Sequence, residues 1–337
     1  MPLLCKSVLS GVTIRVRGGL SEPPVTLSPP VLTRMLSRSA MILCGLALSL
    51  SLSAPASSQS DTAANTIDDG NIRITTFNIH YTSPRQKKLA WGNRREAVKL
   101  AIDDLNADII AFQEMETFAG GSFNRENEQL DWVLEHFPEY SAGAYGDAAI
   151  YPNTQPVIYK KERFSQKSQG FFFFSDTPDV IYSRTFNGSW PAFCSWTELV
   201  DKKTGQEFFI YNVHFEYKSM SNRSKSAQLV GQRIKPVLED GGAVVLLGDI
   251  NAPGFAPTAK KLKKIPLTLA KPAGATFHFN RGLNLIPAID HVFYSDHFTQ
   301  QGKTTLLREK YDDVWPTDHY PVTVELLQTS KRVQPGD

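Results

Sequence analysis

The chain has 337 residues, 41% of them apolar, enough for one large domain or two ordinary ones with a sizeable core, and this excludes global disorder. The formal charge of +2 is unevenly spread: residues 1–56 hold five of the 36 Lys/Arg (Lys6, Arg15, Arg17, Arg34, Arg38) and one of the 34 acids (Glu22). That leaves 31 basic and 33 acidic residues, a net of −2, so bulk charge does not make the remainder a binder of polyanions.

Residues 1–34 have no clear apolar periodicity and carry Pro23, Pro24, Pro29 and Pro30; they read as a disordered or mis-assigned leader, with Met35 the better start. A short basic stretch from Met35 then precedes a largely apolar stretch of 14 residues (41–54) and the small-x-small pattern Ala54-Pro55-Ala56. That order predicts a secretory signal peptide over 35–56 and a secreted or periplasmic product. The stretch falls short of the roughly 20 residues of a bilayer span, so no transmembrane anchor is expected after processing. Leu43 before Cys44 argues against a lipoprotein. With Cys5 and Cys44 in the removed part, only Cys194 remains; no internal disulfide is expected, and its setting between Phe193 and Trp196 reads as a buried thiol.

Residues 57–70 are polar and read as a linker. A strand is predicted over 72–77, and a helix over 94–106 from Val98, Ala101, Ile102 and Leu105. The apolar run 109–112 predicts a buried strand. Leu130, Val133, Leu134 and Phe137 mark a second helix. Strands follow over 157–159, 195–200 and 207–215, the last two joined by the turn Lys203-Thr204-Gly205. The Phe171–Phe174 run reads as core or strand. A helix over 224–238 and strands over 243–247, 289–294 and 320–327 close the series, with a tail over 329–337. No internal repeat is visible. Strands outnumber helices and connections are mixed, so a layered α/β fold with largely antiparallel sheets is expected over 71–328.

Six strands carry residues able to bind metal or phosphate: four at their ends, the fifth within its run and the last just before its start. They are Thr76-Phe77-Asn78, Phe112-Gln113-Glu114, Asn212-Val213-His214, Gly248-Asp249-Ile250-Asn251, Ile289-Asp290-His291 and, before the last strand, Thr317-Asp318-His319-Tyr320. Each alone has an ordinary reading as a turn, a cap or a solvated strand end. Together, each after a buried run, they point to one site at a rim of strands.

This ordered series resembles the endonuclease/exonuclease/phosphatase superfamily across nearly all of 72–327. A compact bacterial, deadenylase-like branch is resembled by Trp91-x-x-Arg94, the 170–178 segment, Trp190, Cys194-Ser195-Trp196 and Thr276-Phe277-His278. The resemblance implies a four-layer sandwich: two mixed, mostly antiparallel sheets face to face, helices outside, and a site at one end. It implies a monomer using Mg²⁺ (Mn²⁺ is the alternative), held by Asn78, Glu114 and Asp318. The catalytic set is His214, Asp249, Asn251, Asp290 and His319. Asp249 or His319 is the base for the attacking water, Asp290 orients His319, and His214 serves the leaving-group side. Arg184, Trp190, Arg223 and Tyr217 are expected to form a substrate wall and His278 a rim, with His80 and His291 as weaker candidates. The chain departs from the pattern at Ala288, where Arg is often found, at His291 for Tyr, and at Glu216 for Asp.

The expected function is an exported Mg²⁺-dependent phosphoesterase acting on a phosphate ester, in the first reading a nuclease-like phosphodiesterase. A monoesterase or phospholipase-type enzyme of inositol phosphates or lipid head groups is the alternative, and a binding module that has lost catalysis a third. The cations at hand for a nucleic acid are Lys260-Lys261, Lys263-Lys264 and Arg94-Arg95.

Overall fold

Two six-stranded sheets are built to one plan. The computed structural model describes residues 70–82, 89–115 and 127–329. The expected leader, the signal segment, the linker up to residue 69 and the tail from residue 330 lie outside the described residues. The first sheet runs β11 (Phe298–Leu306), β12 (Val322–Gln328), β1 (Asn71–Asn78), β2 (Ile109–Gln113), β4 (Val157–Lys160), β3 (Tyr140–Gly143). The second runs β5 (Phe164–Phe173), β6 (Phe193–Asp201), β7 (Glu207–His214), β8 (Ala243–Asp249), β10 (Asp290–Tyr294), β9 (Thr268–Ala270). Each has one parallel pair, at its centre: β1 with β2, and β7 with β8. A helix makes each crossover, α1 (Trp91–Leu105) in the first and α3 (Met220–Glu239) in the second, as parallel pairs require.

Three apolar clusters define four layers. Ile72, Ile74, Ile109, Phe208, Ile210, Val245, Leu247 and Val324 fill the space between the sheets. On the outer face of the first sheet, Phe77, Ile110 and Phe112 meet Val98, Ala101, Ile102 and Leu105 of α1 and Leu130 and Val133 of α2 (Glu128–His136). On the outer face of the second, Tyr211, Val213, Val244, Leu246 and Phe293 meet Ala227, Val230 and Ile234 of α3 and Leu262 of α4 (Pro257–Leu262). Cys194 is fully buried in this layer, and burial pushes its thiol well up, as suits a core thiol. The Asn127 side chain caps α2 by accepting from Leu130 N–H, and Ser219 caps α3 by accepting from Asn222 N–H. Among the described residues, no helix is long and apolar enough to cross a membrane.

Candidate active site

Period-two alternation carries the site residues to one end of the sandwich. Inward positions read Ile72, Ile74, Thr76, Asn78 along β1; Phe208, Ile210, Asn212, His214 along β7; and Val245, Leu247, Asp249 along β8. Each line is mainly apolar in the interior and ends in a ligating group. Register places His214 beside Asp249, and Asp249 beside Asp290, on three neighbouring strands. Gly248 lets β8 lie in place: its φ is 133°, and a Cβ would sit 2.0 Å from Val213 O.

Glu114 breaks the alternation. Phe112, two residues earlier, faces outward onto α1. At Glu114 the chain turns left-handed (φ 56°), and the carboxylate returns to meet Asn78. His80 (φ 61°) and Asn251 (φ 47°) share this conformation. For non-glycine residues it costs about 1–3 kcal/mol each, a cost typical of sites whose surroundings over-determine the backbone.

Asn78 Nδ2 donates to Glu114 Oε1 and to Asp249 Oδ2, both at 3.2 Å, and so ties the two sheets at the rim. His214 Nε2 lies 3.6 Å from Glu114 and 3.7 Å from Asp249. His80 Nδ1 lies 3.6 Å from Glu114 and 3.5 Å from Asp318, between the two carboxylates. The His319 Nδ1–Asp290 Oδ2 contact of 2.9 Å leaves Nε2 facing Asp249 at 3.9 Å. Thr276 Oγ1 accepts from the N–H groups of Ile289 and Asp290. Asn251 N–H donates to Asp249 Oδ1 at 2.7 Å, while Asn251 Nδ2 donates to Phe215 O.

Four carboxylates are thus gathered, and among the described residues no Lys or Arg lies within ion-pair distance of them; their neighbours are the three imidazoles. Burial pushes His214 down to about 4, so it is neutral at neutral pH. Burial alone would lower His319 too, yet Asp290, Asp249 and Asp318 raise it to about 10. Burial and the Asp290 charge push Asp249 well up, whereas His319 holds Asp290 below the usual carboxylate range against its burial. Hard oxygens that have His319 but no Lys or Arg as counter-charge among the described residues fit a divalent cation. The ligand atoms of Asp249, Asp290 and His319 lie within 4.8 Å of one another, and beside them Glu114 and Asp318 face each other across His80.

These groups open into a cavity of about 840 Å³. Glu114, His214, Asp249, Asn251, Asp318 and His319 line it, as do Arg184, Trp190 and Tyr217. Trp190 sets its ring edge-on to His214, centroids 4.3 Å apart. Asn78 and Asp290 sit just behind the surface, both about 1% exposed, and act through Glu114, Asp249 and His319. Two expected substrate contacts are corrected. Arg223 does not line the cavity; its guanidinium donates to Glu216 O and Tyr217 O and holds that loop. His278 is fully buried, stacked on Tyr320 and against Trp315, and burial lowers it to about 4. His80, Tyr81, Gln155 and Phe277 line the cavity and were weakly weighted or missed; the left-handed turn that brings His80 in has no signal in the sequence.

The model of the endonuclease/exonuclease/phosphatase family matches residues 75–319. The chain belongs to this family. Among solved structures, a mannosyl-6-phosphatase of Bacteroides thetaiotaomicron is 24% identical, with a TM-score of 0.66 over 76% of this chain and 99% of that one. TDP2 of D. rerio, complexed with a single-strand DNA product, is 15% identical, with a TM-score of 0.59 over 77% and 99%. Among curated proteins, an uncharacterized protein of Acanthamoeba polyphaga mimivirus is 28% identical over 165 residues, 48% of this chain and 59% of that relative's length.

Several residues that carry the family resemblance support the site from behind. Arg94 is 1% exposed, so the expected surface pair Arg94-Arg95 does not present two cations to a phosphate. Its guanidinium instead donates to the carbonyls of Ile79, His80, Leu89 and Pro316, pinning the β1 end to the loop that carries Asp318. Burial lowers it to about 10, still cationic at neutral pH. Below the site, Gln113 donates to Asn212 Oδ1, and Asn212 donates to Phe112 O and Gln155 O. This polar layer fastens one sheet to the other. Glu216 accepts from Ser189 N–H, Ser189 Oγ and Lys218 N–H, and so anchors the loop that presents Trp190. His291 faces away from the cavity, its Nε2 3.0 Å from Ala252 O.

Proposed function

We propose that this chain is a divalent-metal-dependent phosphoric ester hydrolase, using Mg²⁺ or alternatively Mn²⁺, that activates water for attack on phosphorus. The observation that carries the reading is the convergence of two buried and two half-buried carboxylates, a His319–Asp290 pair and a neutral His214 on one cavity. Glu114, with Asn78 and Asp318, would hold the cation, which supplies Lewis-acid stabilisation of charge on the phosphoryl oxygens.

Asp249 or His319, 3.9 Å apart, takes the proton of the attacking water, and Asp290 orients His319 through Nδ1 and favours its cationic form, which binds the phosphate. Asn251 fixes Asp249 through its N–H. His214, neutral and 3.7 Å from Asp249, stands on the leaving-group side and polarises the departing oxygen by donating a hydrogen bond. Export through segment 35–56 completes the proposal.

The relatives suggest two ester classes, a sugar phosphate and a nucleic-acid product. Among the described residues, Arg184 is the one Lys or Arg lining the cavity and aromatic rings supply much of the wall, which favours a compact ester. A polynucleotide strand calls for a row of cations along its backbone. The test compares p-nitrophenyl phosphate, bis-p-nitrophenyl phosphate, sugar and inositol phosphates and single-stranded DNA as substrates of the full chain with Mg²⁺ or Mn²⁺. Turnover undiminished in excess chelator would overturn the metal assignment. Faster turnover of DNA than of every compact ester would overturn the substrate reading.

A further inference from the structure

Between Asp249 and Asp290 the chain contains no acidic residue, yet it carries Lys260, Lys261, Lys263, Lys264, Lys271 and Arg281. Over the whole chain, cations and acids are nearly balanced at 36 and 34, so this is strong local segregation of charge. The segment folds as α4, β9 and their loops beside the active-site mouth. Ala259 and Leu262 bury against the core, which turns the lysines of α4 outward. Lys235 of α3 pairs with Glu239 at 3.3 Å, but among the described residues none of the five lysines of the segment has a carboxylate within ion-pair distance.

Three of these lysines border an open groove of about 810 Å³. Its lining includes Lys260, Lys263 and Lys271 and no acid, with a floor of Leu269, Pro272 and Pro287. Phe255 and Leu285 stand at its edge, 69% and 71% exposed, an apolar pair with no packing role in the fold. Ile286 lines both this groove and the active-site cavity, so the two openings adjoin.

We propose that this face docks on an anionic lipid surface. Unpaired lysines supply attraction to acidic head groups, and exposed Phe and Leu side chains enter the head-group boundary. A single-stranded polynucleotide would use the same lysines, but it also needs flat rings on which to stack its bases. Leu285 and the aliphatic floor offer none, and Phe255 stands alone at the groove. Docked in this way, the neighbouring cavity opens close to the membrane plane. Docking is independent of the hydrolase reading, because partition is measured without turnover.

The full chain is mixed with phosphatidylcholine vesicles, with or without phosphatidylserine, and partition is read by co-sedimentation. Partition to the anionic vesicles is expected to exceed that to neutral ones by on the order of a hundredfold, and to weaken with added salt. The triple variant K260Q/K263Q/K271Q should remove that difference. The double variant F255S/L285S should weaken partition by on the order of tenfold while keeping its salt dependence. Circular dichroism checks that both variants fold. Equal partition to the two vesicle types overturns the proposal, as does wild-type partition by the lysine variant. Retention of a single-stranded oligonucleotide in place of vesicles overturns it in favour of a polynucleotide.

Discussion

Each ionisable group at this site is set by its immediate neighbours. Glu114 is buried, which alone would raise its pKa, yet His214, His80, His319 and Asn78 together hold it below the usual range. It therefore stays anionic and available to a cation. Glu114→Ala and His319→Ala should each lower turnover by about two to four orders of magnitude while the fold persists. Steady-state rates with p-nitrophenyl esters check this, and near wild-type rates for both would place the chemistry elsewhere. His319 gives a second test. Its folded value of about 10 lies above the ordinary 6.5, so its contribution to stability is fully present below about 6.5 and is lost as pH rises through 10. In chelator, the urea midpoint of the wild type should fall over that window, and His319→Gln should flatten the fall.

At the scale of elements, the four sheet edges are β3, β5, β9 and β11; three of them are absent from the sequence reading, and β5 is read only at its Phe171–Phe173 end, as core or strand. An edge strand pairs on one side only and tolerates polar residues, so β5 (FSQKSQGFFF) and β11 (FTQQGKTTL) lack a clean apolar alternation. The central strands β1, β2, β7, β8 and β10 are buried on both faces and were readable from their apolar runs. Gly248 belongs to this scale, because its freedom from a Cβ is what lets β8 pair beside β7. Gly248→Ala should destabilise the protein by about 3 kcal/mol, since both the positive φ and the approach to Val213 O penalise a methyl group. Chemical denaturation of the full chain measures it, and an unchanged midpoint would contradict the register of β7 and β8.

For the molecule as a whole, the site lies on a seam between two sheets. Asn78, Glu114, Asp318 and His319 come from the first sheet and its adjoining loops; His214, Asp249 and Asp290 come from the second. Gathering their charges works against folding unless a cation offsets them. Mg²⁺ should therefore raise the unfolding temperature of the full chain above its value in chelator, and Glu114→Gln should shrink that rise. Calorimetry with and without metal decides; an identical temperature in both conditions would argue against a cation at this seam.

The sequence by itself determined the central strands, the helices that cover them and most of the residues that converge on the candidate site, because buried runs bordered by Asn, Glu, His or Asp are visible as local patterns. It also determined the family, through the order of six such patterns. Only the tertiary structure decided which candidates share a cavity. Arg94, Arg223 and His278 have polar side chains suited to phosphate, and the fold spends each on backbone carbonyls or on packing instead. His80 and Glu114 reach the cavity through left-handed turns set by contacts distant in sequence. Side-chain identity is local information, whereas direction and neighbours depend on how the two sheets meet.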